Sequence, residues 1–489
     1  MKKIMFGTML VAGLVSPLLV GCGPASASSQ NESGDSGDVS SSYSSSVSSQ
    51  DLSGADLTYV NWNLGTADQN NLERQMVAAF NAKYKKNVKI VENINTNAYE
   101  DAIVAMAAKD QMPDVFMLTN TTFGLSNQYL ADMTSYASAD ADWGKIPASV
   151  ADATKYKGKI YAIPFAIHMM GYFENEELLD NKNLSSLSVS PKWNDFYNIV
   201  TTLNQPTNGI MGLNIETTLF EWYPAQLNAN YGWYSFDGAK YNLDSTEFAQ
   251  AMELTKTIRA NKLTFDSLTA SERESLGYTD SVKFWNDGKL GLRWGYTYEI
   301  PDMIAHSSFD KKFIGVPGGR TPIVGDYLGV SPTCKNPELA YQFAKWMSFD
   351  PDGIKQRLSF DPDGSLFSSL PLSTDSSVIS AYFDAKYNRV PGLEDAFKAS
   401  DNSVVEGVKI IPGYGLSRWT ARAGKSVTIT VNGQSVTNPQ VGQLIDQCWL
   451  GNVNFADYSS GLNAIANKCY NDALASFSSI YSAINPNVI

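Results

Sequence analysis

The chain is poor in catalytic groupings and rich in recognition groups. His168 and His306 are the only two histidines among 489 residues. They lie far apart and outside any metal-ligand spacing, so no metal is expected. No G-x-S-x-G elbow is present, and Ser308-Phe309-Asp310-Lys311 satisfies S-x-x-K without the S-D-N or K-T-G that a penicillin-recognising enzyme needs. Neither a phosphate-binding G-x-x-x-x-G-K-[ST] nor a glycine fingerprint after a strand occurs, so no cofactor is expected. With 50 acidic residues, neighbours such as Glu176 and Glu177 are unavoidable and single out no glycosidase pair. Asp350-Pro351-Asp352-Gly353 and Asp361-Pro362-Asp363-Gly364 complete no calcium loop and read as turns. No catalytic residue is therefore expected. Ten Trp and 25 Tyr remain to be placed. Sugars offer apolar C–H faces that pack on aromatic rings and hydroxyls that need fixed polar partners. Three runs have that mixture: Glu221-Trp222-Tyr223 continuing to Tyr231-Gly232-Trp233-Tyr234, Trp294-Gly295-Tyr296-Thr297-Tyr298-Glu299, and Arg418-Trp419.

The elements that must position these groups alternate. Leu57–Trp62 is an apolar, β-prone run. Leu72, Met76, Phe80 and Tyr84 then recur every fourth residue as a helix face. Val88–Val91 reads as a second strand, Tyr99, Ile103 and Met106 mark a second helix, and Asp114–Leu118 is a third strand. This β-α-β-α-β order predicts a parallel sheet, whose ligands sit beyond the carboxyl ends of the strands. The rule points to Trp62 and Asn63 after the first strand and to Asn120 and Thr121 after the third. Further helices are predicted at 193–203, 248–258 and from Pro337, and strands at 290–294, 313–316 and 327–330. A long C-terminal helix is predicted through Leu462, Ile465 and Cys469. Trp193, Trp285 and Trp346 fall on helix faces and are assigned to the core, and the buried Cys448 and Cys469 are expected as free thiols rather than a bridge.

The amino terminus speaks for a compartment. Met1-Lys2-Lys3 precedes an apolar stretch that ends at Leu19-Val20-Gly21-Cys22, which resembles the bacterial lipobox. Residues 1–21 are expected to be a lipoprotein signal peptide and Cys22 to carry the lipid. Residues 22–55, almost devoid of apolar side chains, form a disordered Ser/Gly-rich linker with a reach of roughly 30 Å. The net charge of -13 argues against a nucleic-acid partner, which needs a Lys/Arg footprint.

Several segments together resemble the extracellular solute-binding proteins of ABC importers, the family of maltose- and multiple-sugar-binding proteins. They are Met112-Pro113-Asp114-Val115-Phe116, Lys157-Gly158-Lys159-Ile160-Tyr161-Ala162-Ile163-Pro164, Asn175-Glu176-Glu177-Leu178-Leu179, Trp193-Asn194-Asp195-Phe196, Phe284 through Lys289 with Gly295, Phe313 through Gly319, and Gly329 through Trp346. Phe173-Glu174 stands where the family commonly has a Tyr pair, so that role is not carried over. The resemblance implies an α/β, two-lobe periplasmic-binding-protein-like fold (type II), with a ligand cleft between lobes joined by a three-segment hinge near Pro164, Asp326 and Pro371. The first lobe would comprise 56–165 plus 326–372 and the second 166–325 plus 373–489. The cleft would hold the aromatic runs named above, with His168 following a hinge segment. The ligand-binding set is thus Trp62, Asn63, Asn120, Thr121, His168, Glu221, Trp222, Trp233, Trp294, Tyr296, Tyr298, Glu299, Asp326 and Trp419.

The implied function is capture of an oligosaccharide outside a bacterial, Gram-positive cell by a monomeric, lipid-anchored receptor that delivers it to separate permease subunits. A polyamine or peptide receptor stays open, because Glu221, Glu299 and Asp326 could serve a cation. A surface carbohydrate-active enzyme is the third alternative.

Overall fold

The computed structural model describes residues 50–484 apart from 70, 93, 95, 362–368 and 385–389, with side chains up to residue 477. The expected signal peptide, Cys22, most of the linker and Pro362-Asp363-Gly364 lie outside the described residues.

Strands β1 (Leu57–Val60), β2 (Val88–Ile90) and β3 (Val115–Leu118) pair in parallel in the order β2-β1-β3, as the alternating pattern requires. Asn71 starts the intervening helix Leu72–Tyr84 by accepting from the Arg74 amide. That helix buries Leu72, Met76 and Phe80, and Phe80 meets Phe343 edge-on at 5.0 Å. All four residues of β3 are buried, as expected of a strand covered on both faces. The hairpin β4 (Lys155–Tyr156) and β5 (Lys159–Ile160) turns through Lys157 and Gly158, with φ of 48° and 77°. Two consecutive left-handed residues are what a tight two-residue hairpin needs.

The sheet then passes from one lobe to the other along β6 (Ile163–Asn175), thirteen residues that are all buried. Further along the chain lie β7 (Met211–Leu213), β8 (Leu290–Tyr296), β9 (Lys311–Gly315) and β10 (Pro322–Val330). The first half of β6 pairs antiparallel with β10, from Ile163 opposite Leu328 to Met169 opposite Ile323. Its second half pairs with β8 and β9. β10 continues onto β3, and β7 lies parallel to β8. The two-residue β11 (Val404–Val405) adds to the start of β10. The β6–β10 register slips between Asp326 and Tyr327, the local bend expected of a bulge. A separate hairpin pairs β12 (Thr428–Val431) with β13 (Gln434–Thr437).

Leu370 bridges antiparallel to Ile167. Helix Ser376–Asp384, which follows the expected crossing near Pro371, packs on helix Pro351–Phe360. Tyr382 is fully buried there, and its hydroxyl donates to the Ser369 carbonyl. The chain meets β9 at Pro391, whose carbonyl accepts from the Phe313 amide at 2.9 Å, and along helix Leu393–Lys398. Trp285 and Trp346 are buried, whereas Trp193 is half-buried against Phe196 and Tyr223. Cys334, Cys448 and Cys469 are free thiols. Asp350 caps helix Pro351–Phe360 by accepting from the Asp352 and Gly353 amides.

Candidate binding cleft

One wall of the cleft is built at the carboxyl ends of β1 and β3. Asn61 is buried and accepts from the Asn63 amide at 2.8 Å, which tightens the turn Trp62–Leu64 and leaves Asn63 exposed. Trp62 is half-buried and meets Tyr99 edge-on at 5.3 Å. Asn120 caps helix Thr121–Ser126 by accepting from the Phe123 amide at 2.6 Å, and its amide nitrogen is 3.3 Å from Glu100. Its side chain is thus committed locally. Thr121 is buried, and both its amide and its hydroxyl donate to the Lys409 carbonyl, at 2.8 and 3.0 Å. This couples the first lobe to the loop after β11.

The opposite wall is the end of β8. Tyr298 is 40% exposed and stacks on Tyr296, with centroids 4.9 Å apart and planes inclined by 18°. His168, on β6, presents its ring edge-on to Tyr298 at 5.2 Å. Glu299 fixes this turn, accepting from the Tyr296 amide and from Arg293, each at 2.8 Å. Burial, with neighbouring carboxylates, pushes both tyrosine hydroxyls far above their ordinary range, so they act as neutral donors and acceptors. A cavity of about 340 Å3 opens beside the hinge, lined by Asn63, His168, Asp326 and the Glu73–Arg357 ion pair. A second, of about 560 Å3, lies between Thr121 and Tyr156 on one side and Tyr231, Trp233 and Arg320 on the other.

Of the expected ring platforms, Trp222 and Trp294 lie behind the wall instead. Trp222 is fully buried and stacks on Trp294, itself 5% exposed, at 5.8 Å and 7°. The backbone of Trp294 is clamped from both sides by the Asn214 side chain, at 2.7 and 2.9 Å. Trp233 is buried with its indole N–H donating to the Tyr414 hydroxyl at 2.9 Å. Trp222 and Trp294 complete the second-lobe core as a stacked pair, while Trp233 also lines the second cavity. Trp419 is half-buried, edge-on to Tyr414 at 5.3 Å.

The polar floor between the walls is charge-matched. Glu221 accepts from Arg418 at 2.9 Å, and Asp326 pairs with Lys409. Glu406 lies among them; its carboxyl is pushed up to about 7 by burial, reinforced by Glu221 and Asp326 and opposed by Lys409. Glu406 and Lys409 had no sequence signal: they reach the cleft through the two-residue β11, too short to read from a pattern. Among the described residues no group of three or more His, Cys, Asp or Glu is placed to hold a metal ion. Nor is any helix there long and apolar enough to cross a membrane.

A two-lobe α/β body hinged on shared strands, with a polar and aromatic cleft between the lobes, defines a binding protein of the periplasmic type. The chain belongs to the bacterial extracellular solute-binding protein family, whose model matches residues 75–382. Its fold is similar to an ABC substrate-binding protein of Listeria monocytogenes in complex with cycloalternan, at 17% identity, a TM-score of 0.56, and coverage of 87% of this chain and 98% of that one. It is also similar to the cyclic alpha-maltosyl-1,6-maltose binding protein of Arthrobacter globiformis, at 14% identity, TM-score 0.61, and coverage of 85% and 98%. A sugar transporter of Rhizobium etli in an open conformation gives 16% identity, TM-score 0.61, and coverage of 86% and 98%.

Proposed function

We propose that this protein is the lipid-anchored, substrate-binding component of an ABC importer and that its ligand is an oligosaccharide. The observation that carries the ligand class is the exposed Tyr298 plate, stacked on Tyr296 and met edge-on by His168, which also lines the hinge cavity with Asp326 and Asn63. An aromatic face flanked by hydrogen-bonding groups suits a sugar ring. The matched charges favour a neutral ligand over a polyamine. Glu221, Glu299 and Asp326, the carboxylates that a cation would need, are already held by Arg418, Arg293 and Lys409. The similar proteins whose descriptions name cycloalternan and cyclic maltosyl-maltose agree with this class.

In this reading the cleft closes on the sugar by bending at β6 and β10, and the closed form is presented to separate permease subunits. Tyr296, Tyr298, His168, Asn63 and Asp326 contact ligand, with Trp62, Thr121 and Trp419 at the margins. No bond in the sugar is broken. The Cys22 lipid would hold the protein at the outer face of the membrane, with the polar linker as a leash.

The test is a thermal-shift and calorimetric screen of the purified protein against defined oligosaccharides, monosaccharides, spermidine and peptides. A ligand at 100 times its Kd stabilises the fold by about 2.7 kcal/mol. A shift with one glycan series and none with spermidine supports the reading; a shift with spermidine or a peptide alone overturns the sugar assignment. Metabolic labelling with palmitate, compared between the wild type and Cys22→Ala, tests the anchor.

A further inference from the structure

The second cavity, of about 560 Å3, has no lining residue in common with the hinge cavity. Of the residues placed around the sugar, only Thr121 borders it. Its size falls within that of small-molecule sites, about 300–1,000 Å3. Leu125, Tyr156 and Tyr161 form one wall, and Trp233, Ile410 and Leu474 the other. Leu125 and the three rings are buried, so the interior is apolar and aromatic.

Most of its polar groups are already engaged. The Ser149 and Thr154 hydroxyls donate to the Ser400 and Ala151 carbonyls, at 2.9 and 2.7 Å, and the Trp233 indole N–H donates to Tyr414. A sugar needs several fixed partners for its hydroxyls, and few donors are left here to supply them. Three cations line the cavity, Lys155, Lys157 and Arg320, against two carboxylates, Asp152 and Asp237. Asp152 pairs with Lys155 at 2.6 Å. Asp237 accepts from the Asn242 side chain and from the Ala239 and Lys240 amides, each at 2.9 Å.

Arg320 is the group left over. It is half-buried, with Nη1 donating to the Ala225 and Tyr231 carbonyls at 2.8 and 2.7 Å and Nε to the Asn402 carbonyl at 3.3 Å. Three carbonyls fix the guanidinium plane without neutralising it. Among the described residues no carboxylate pairs with Arg320, and its Nη2 has no hydrogen-bond partner. Lys157 likewise has no carboxylate there; its ammonium sits 5.9 Å from the Tyr156 ring centroid. The cavity thus combines a fixed positive charge with an apolar interior.

We infer that this cavity is a second ligand site, for a small carboxylate with an apolar or aromatic body. Arg320 Nη2 donates to the carboxylate in a charge-assisted hydrogen bond, and the body fills the space among Tyr161, Trp233 and Ile410. Such a ligand gives the cation its missing partner and removes apolar surface from water on both sides. The inference goes beyond the sugar reading and does not depend on it.

The test is calorimetry of the ligand-free protein with octanoate and 3-phenylpropionate, each against the alcohol and the amine of the same skeleton. Methyl NMR of Ile410 reports whether binding is at this cavity. At least one carboxylate is expected to bind, to move the Ile410 signal, and to bind ~10-fold or more tighter than its alcohol, as a hydrogen bond to a charged group implies. Arg320→Met is expected to erase that preference. If Arg320→Met does not fold, Leu474→Trp, which fills the cavity from a half-buried position, is expected to abolish binding. The inference is overturned if neither carboxylate binds, if the alcohols or amines bind as tightly as the acids, or if binding leaves Ile410 unmoved or survives Leu474→Trp. Because no sugar is added, failure here leaves the oligosaccharide assignment standing, and a failed glycan screen leaves this site standing.

Discussion

Trp222 offers the sharpest check on how the cleft wall is built, because its sequence context suggested a ligand platform and the structure puts it in the core. Its ring is fully buried and parallel to Trp294 at 5.8 Å, with Tyr172 edge-on to both. Trp222→Ala empties that space, and large-to-small changes of this size cost about 3–5 kcal/mol. Trp222→Phe separates packing from hydrogen bonding. The indole nitrogens of Trp222 and Trp294 and the Tyr172 hydroxyl are buried without hydrogen-bond partners, and a buried unsatisfied polar group costs about 1–3 kcal/mol. Removing the Trp222 donor offsets much of the lost ring volume, so the Phe variant is expected within about 1 kcal/mol of wild type. Urea unfolding followed by far-ultraviolet circular dichroism, with the slope held constant, measures both variants. The reasoning is refuted if Phe costs as much as Ala, which would mean that the donor is satisfied. It is also refuted if Trp222→Phe keeps full stability but loses ten-fold or more in ligand affinity, which would return the ring to the binding site.

Three further outcomes are expected. Tyr298→Ala should weaken oligosaccharide binding by about ten-fold, as loss of about 1.4 kcal/mol of stacking implies; the melting temperature should barely move, since the ring is exposed, and calorimetry alongside a thermal scan separates the two. Arg357→Met should destabilise by about 3–5 kcal/mol in urea, because it leaves the Glu73 carboxylate, its partner in an ion pair lining the hinge cavity, without its cation. Asp266 has its carboxyl pushed up to about 6 by burial and then by Glu216. The folded state thus holds the proton more tightly, and stability should fall as pH rises from about 4 through 6, then level off. Asp266→Asn should flatten that portion when urea midpoints are compared at pH 4.5 and 7.5.

The local architecture was legible where period and punctuation agree. The β1 to β3 unit is found in the order that its alternating pattern requires. Helix Trp193–Leu203 is found as read. The cleft was half legible. Tyr296, Tyr298 and His168 form one ring cluster. Strand alternation puts Trp294 and Tyr296 on one side of β8, yet says nothing of which residue lies deep and which at the rim. That depth is set by the bend of the chain after Tyr296, and by Trp222 arriving from about seventy residues earlier in the chain. Glu406 and Lys409 were illegible for a related reason: their positions depend on a two-residue pairing to a hinge strand remote in sequence. The packing of helix Ser376–Asp384 on Pro351–Phe360 is a tertiary preference that the family-like motifs, ending at Trp346, do not reach.

The thirteen residues of β6 have a mechanical consequence. A linker of flexible loops would leave two lobes free to tumble through many mutual orientations, and capture of a ligand would have to freeze them. Here the joint is a hydrogen-bonded ribbon of β6 and β10, stiff along its length and compliant only where the ladder slips between Asp326 and Tyr327. Such a joint behaves as a leaf spring with one easy axis. It confines the lobes to a single arc, so docking forfeits little rigid-body entropy, and elastic recoil along the same arc reopens the cleft once its contents have left.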